Sequence, residues 1–141
     1  MGWFSSLRKR EEEAPPASAE PAPAPARARR SGGAPDRLTS LNFDRYLREH
    51  PRVVVDVWAP WCVPCRAFAP TFQAAASEWG EWVGFGKVHA DHEPSLVARF
   101  SIRSIPSLLF FRDGELVRSE TGVISADRLE KHLHKVFRDL P

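Results

Sequence analysis

The stretch RVVVDVWAPWCVPCRAFAP, Arg52 to Pro70, constrains the fold more than any other part of this sequence. Arg52–Ala59 is a short β-branched run, the pattern of a buried strand. From the cysteines to about Trp79 the apolar spacing is helical, with a kink expected at Pro70. The only two cysteines of the chain, Cys62 and Cys65, lie where the strand gives way to the helix. A helix N-terminus presents unpaired N–H groups and the positive end of the helix dipole. A thiolate at Cys62 is stabilised there, which predicts a lowered pKa and a nucleophile. Cys65 lies a turn inside, less exposed, and its sulfur can reach Cys62. That layout suits attack through Cys62 and resolution by Cys65.

Two other readings compete. A structural disulfide over so short a loop removes little chain entropy, and a reducing compartment would open it. A zinc site needs four ligands, and the nearest histidines, His89 and His92, lie some two dozen residues downstream, outside finger spacing. They read more simply as polar surface positions, and His132 and His134 as riders on the last helix.

Beyond the cysteines the pattern alternates. Ser40 or Asn42 is placed to cap a helix with Phe43, Tyr46 and Leu47 on one face, and Pro51 follows it. Val83–Asp91 reads as a strand, and a short helix with Leu96, Val97 and Phe100 comes next. Ser107–Phe111 is a strand, turned by Asp113-Gly114 into the strand ELVRSET. The last helix starts near Ser125, with Leu129, Leu133, Val136 and Phe137 on one face. The order α-β-α-β-α-β-β-α predicts an α/β protein with a mixed sheet covered by helices on both faces. An earlier strand near DRLT carries little signal of its own.

Residues 1–36 read differently. From Glu11 to Asp36 they are Ala/Pro-rich, charged and without an aromatic residue. Such a stretch buries too little apolar surface to offset its conformational entropy, so a disordered tail with polyproline II character is expected, and a folded domain over 37–141. At the start, Met1-Gly2 with Ser6 matches an acylation pattern. Trp3, Phe4 and Leu7 beside Arg8-Lys9-Arg10 make at best a weak membrane or partner anchor, and a frayed start with a few apolar residues is the simpler reading.

Charge excludes one class of function. Lys and Arg exceed Asp and Glu by six to five over residues 1–36 and by fourteen to thirteen over the rest. Neither part has the basic patch that nucleic-acid binding needs. No window approaches the ~20 apolar residues of a membrane span. Acidic and proline residues stand where the apolar core of a secretory signal would be, so a cytoplasmic location is expected.

Two further residues stand out. Asp56 is an acid among Val53, Val54, Val55 and Val57. It is either a buried group, paired with Lys87 or working as a general base for Cys65, or an edge acid facing water. Pro106 directly precedes a strong strand, either as a strand-start proline or as one with a cis Ile105–Pro106 bond.

Together these residues resemble the thioredoxin family. VVVDVWAPWCVPCRAFAP, KVHAD, FSIRSIPSLLFFRDGE and TGVISADRLEKHL fall in the family's order from about Leu38 to Phe137. Asp56, Trp58, Trp61, Cys62, Pro64, Cys65, Pro70, Lys87, Pro106 and Gly122 each match a motif position. The resemblance implies a thioredoxin fold, a central mixed sheet flanked by four helices. It implies reduction of protein disulfides, with no metal and no cofactor beyond the Cys62–Cys65 pair. Reducing equivalents would come from NADPH through a thioredoxin reductase. Cys62 would attack, Cys65 resolve, and Asp56 with Lys87 manage the resolving proton. Pro106 would be cis and packed on the cysteines. Trp61, Ile105, Gly122 and Val123 would line the groove that holds a client backbone.

The sequence also departs from the family. Val63 stands where glycine is usual and adds bulk beside the nucleophile, and Ser104 replaces a usual glycine. WCVPC also occurs in exported thioredoxin-like reductases of cytochrome maturation, whose usual membrane anchor and central insertion are not seen here. Pro64 sits between the cysteines, where intervening residues set disulfide stability; with no histidine there, a reductase is expected. The expected partners are thioredoxin reductase and disulfide-bearing clients, and the expected state a monomer. Two alternatives are a dedicated reductase tethered through residues 1–36 to a membrane or one client, and a binding module on the same fold.

Overall fold

The computed structural model describes residues 33–141. The readings made above for residues 1–32 lie outside the described residues. Nine elements follow in order: β1 (Asp36–Leu38), α1 (Phe43–Glu49), β2 (Arg52–Trp58), α2 (Val63–Trp79), β3 (Gly84–His89), α3 (Pro94–Arg99), β4 (Ser107–Arg112), β5 (Glu115–Thr121) and α4 (Ala126–Val136). They form a five-stranded sheet in the order β1-β3-β2-β4-β5. β3 runs parallel to both β1 and β2, and β4 is antiparallel to β2 and β5.

β2 is central, with α1 and α3 over one face and α2 and α4 over the other. That explains its unbroken apolar run, since a strand covered on both faces has no solvent side to make polar. Val53, Val55 and Val57 pack with Phe43, Leu47, Leu96 and Phe111. Val54, on the opposite face, packs with Phe68, Phe72, Leu129 and Leu133. Side chains alternate along a strand, so Asp56 points to the face that α2 and α4 cover.

Local signals set the element ends. Asp113 and Gly114 both take positive φ, 51° and 85°, as a tight hairpin between right-twisted strands requires. Ser125 caps α4, its hydroxyl accepting the Arg128 N–H at 3.1 Å. Neither Ser40 nor Asn42 caps α1 through its side chain. The Asn42 amide oxygen instead accepts the Thr39 N–H at 2.8 Å and closes the turn before the helix. α2 runs through Pro70 to Trp79.

The main addition to the expected order is β1, which begins at Asp36 and precedes α1. His132 and His134 both ride on α4, and His132 is buried there, 7% exposed. Its ring meets Phe110 edge-on, and Nε2 lies 3.3 Å from a Glu120 carboxylate oxygen without hydrogen-bond alignment.

Candidate active site

The chain leaves β2 at Trp58 and enters α2 at Val63, and four residues make the turn. The Cys62 N–H donates to the Ala59 carbonyl at 3.2 Å. The Arg66 guanidinium reaches back to the Pro60 carbonyl at 2.8 Å, which ties the turn to the helix it starts. Cys62 is the N-cap of α2, with extended backbone, and its sulfur accepts the Cys65 N–H at 3.2 Å. Pro64 sits in the first turn of the helix, where a missing N–H costs nothing.

A disulfide joins Cys62 and Cys65, whose Cα atoms are 5.2 Å apart. The pair packs with Ala59, Trp58 and Ile105. The Ile105–Pro106 bond is cis, which selects between the two readings of that proline. The Ile105 carbonyl oxygen lies 3.9 Å from Cys62 Sγ. The loop is held from both sides: the Ser107 hydroxyl donates to the Ser104 carbonyl at 2.7 Å, and the Gly122 N–H donates to the Pro106 carbonyl at 2.8 Å. Gly122 takes a φ of 92°, a conformation that L side chains resist.

A groove of about 580 Å³ opens beside the disulfide. Trp61, Val63, Pro64 and Ile105 line it, and of the two cysteines only Cys62 does. Val123 lies outside that lining but is half exposed beside Gly122. The groove's far wall comes from Ala90, Val97, Ile102, Arg103 and Ser104. Of these only Ser104 stood out in the sequence, as a departure from a usual glycine. The apolar members read there as ordinary helix and loop positions, because nothing in their spacing distinguishes a groove wall from a core face.

Asp56 lies outside the groove and is 0% exposed, so the solvent-facing reading of this acid is excluded. Neither carboxylate oxygen has a hydrogen-bond partner in the described structure. Burial raises its pKa to about 7, against a smaller opposing pull from Lys87. Lys87 is its direct neighbour across β2 and β3. No ion pair within 4 Å joins them among the described residues; the Lys87 ammonium lies 4.4 Å over the Trp58 ring instead. Among the described residues no cluster of three or more His, Cys, Asp or Glu could hold a metal ion.

A mixed sheet between two helix pairs, with a paired CxxC at the mouth of a helix and the isoleucine of a cis Ile105–Pro106 bond packed against it, is built for dithiol–disulfide exchange. The Thioredoxin family model matches residues 35–135. Thioredoxin 1 of Synechococcus elongatus is 42% identical over 85 residues, covering 57% of this chain and 79% of its own length. A thioredoxin of Buchnera aphidicola subsp. Schizaphis graminum is 37% identical over 97 residues, 68% of this chain and 90% of its own. A solved mutant thioredoxin from Halobacterium salinarum NRC-1 superposes with a TM-score of 0.72 at 23% identity, covering 81% of this chain and all of that one, a likeness of fold. This chain belongs to the thioredoxin family and is a thiol-disulfide oxidoreductase.

Proposed function

We propose that the protein works as a reductase of protein disulfides, with Cys62 as nucleophile and Cys65 as resolving residue. The observation that carries this reading is the asymmetry of the pair: Cys62 lines the open groove and holds the helix N-cap, and Cys65 is withdrawn into the helix. In the reduced protein the Cys62 thiolate attacks one sulfur of a client disulfide, and the other client sulfur leaves as a thiolate. The Cys65 N–H and the helix dipole favour the charged sulfur at Cys62. Cys65 then loses its proton, attacks Cys62 Sγ in the mixed disulfide and expels the reduced client.

Asp56 takes the proton from Cys65. An acid titrating near neutrality, buried on the sheet face that α2 covers, is suited to accept and return one proton per cycle. Lys87 tunes that acid through space, which is the direction of its influence on Asp56. Trp61, Val63, Pro64 and Ile105 hold the client at the groove, and Pro106, Gly122 and Val123 shape the adjoining rim. A hydride from NADPH, carrying two electrons and one proton, with a second proton from solvent, returns the disulfide to the dithiol through a thioredoxin reductase. The activity is placed in the cytoplasm, in maintaining the redox balance of client proteins, by a monomeric domain over 37–141 that carries the Ala/Pro-rich tail.

Insulin reduction driven by dithiothreitol tests the reading. The full chain is expected to accelerate precipitation of the insulin B chain, and Cys62→Ser to abolish the acceleration. An inactive native chain, or activity that survives Cys62→Ser, contradicts it.

A further inference from the structure

The turn after β3 carries two histidines that the exchange chemistry leaves unused. His89 ends the strand, half-buried, and its Nδ1 accepts the backbone N–H of Asp91 at 3.2 Å. That closes a small side-chain turn of the kind Asn and Asp usually make. The Asp91 carboxylate in turn accepts the indole N–H of Trp61 at 2.8 Å. Two hydrogen bonds therefore connect an imidazole to the residue that precedes Cys62 and lines its groove. Trp61 is 65% exposed, so packing alone holds it weakly and the Asp91 contact counts.

We propose that His89 is a positioning residue for Trp61, acting through Asp91, and that a proton on His89 Nδ1 releases the indole from its place at the groove. The proposal rests on the reductase reading for its consequence and deepens it. An imidazole nitrogen accepts a hydrogen bond only while it carries no proton. Once protonated, Nδ1 presents an N–H to the Asp91 N–H, the turn loses its closing bond, and the carboxylate that holds Trp61 moves with it.

The surroundings restrict the ring. His92 stacks on it with centroids 3.7 Å apart and planes 6° from parallel, and Trp58 packs at 5.3 Å. The charged groups around the ring are Asp91 and Glu93 on the same turn, Glu93 accepting the Ser40 N–H at 2.9 Å from the loop before α1. The basic groups nearby are Lys87, over the Trp58 ring, and the second imidazole at His92. Asp56 on β2 is the cross-strand neighbour of Lys87.

The test follows the Trp61 indole N–H resonance of the oxidised full chain from about pH 8 to about pH 5, the range in which histidines change charge. Trp61→Phe assigns the resonance. In the native protein the resonance is expected to shift on acidification, and its exchange with water, taken relative to free indole at the same pH, to speed up about fivefold. His89→Asn supplies an amide oxygen to the same turn that no proton removes, and should hold the resonance in place across the range. His89→Leu should resemble the acidified native protein at every pH, and His92→Gln should keep the native response. Insulin reduction should fall less steeply with acid in His89→Asn than in the native chain. A native resonance that does not move, or His89→Asn titrating as the native chain does, overturns the proposal. The resonance is read without a client, so failure to reduce insulin would sink the reductase reading and leave this measurement standing.

Discussion

Val55 and Val57 flank an acid that water does not reach, and a pH dependence near neutrality follows from it. Asp56 titrates at about 7 when folded and near 3.8 when exposed, so the folded state binds the extra proton between those values. Stability therefore falls as pH rises through that window. Above neutrality the buried charge costs about 4 kcal/mol relative to the protonated acid. Asp56→Asn should be more stable than the native protein by roughly that amount at about pH 8 in urea unfolding, and the gain should vanish below about pH 4. The same substitution should slow client release from the mixed disulfide at least about tenfold, measured by quenched single turnover, and spare the first attack. Val63 adds a branched side chain beside Cys62, 64% exposed. Val63→Gly should raise the rate on bulky folded clients more than on small disulfides. At this scale the cysteine pair and the acid were legible because each breaks its local pattern. Whether Asp56 is covered or faces water was left open there, since its cover includes a helix, Ala126–Val136, far away in sequence.

At the scale of elements, β3 shows how packing overrides local preference. Its sequence GFGKVH places Gly84, Gly86 and Val88 on one face and Phe85 and Lys87 on the other. A Cβ on Gly86 would lie 2.3 Å from Leu38 Cδ1, so the glycine makes room for the one buried residue of β1. Gly86→Ala should destabilise by about 1–3 kcal/mol in urea unfolding, because a core leucine must move. β1 itself is three residues long with a single buried side chain, too short to carry a period, and its pairing with β3 is what makes it a strand. α4 holds the other surprise. Burial lowers the pKa of His132, with Arg118 adding to the effect and Glu120 opposing it. The unfolded chain thus takes up that proton first, and stability present above about pH 6.5 is lost as pH falls. His132→Phe should remove that loss, so that urea midpoints rise more on acidification from about pH 7.5 to about pH 5 than they do in the native protein. On an otherwise amphipathic helix with two histidines, nothing marked His132 as the one facing Phe110.

Across the whole molecule, the sheet and its two helical layers follow from strand and helix periods that the sequence displays openly. The groove does not, because its walls come from four separated segments that meet only after β3, β4 and α2 are paired and packed. What those segments gather around is one sulfur at a helix mouth with a second behind it. Alkylation of the reduced protein by iodoacetamide, followed at each cysteine across pH, reads that arrangement most directly. Cys62 should react at least about tenfold faster than Cys65 at neutral pH, with its rate rising well below the value of about 8.5 typical of a free thiol. Equal rates at the two positions, or a Cys62 that reacts only above that value, would contradict the assignment of nucleophile and resolving residue.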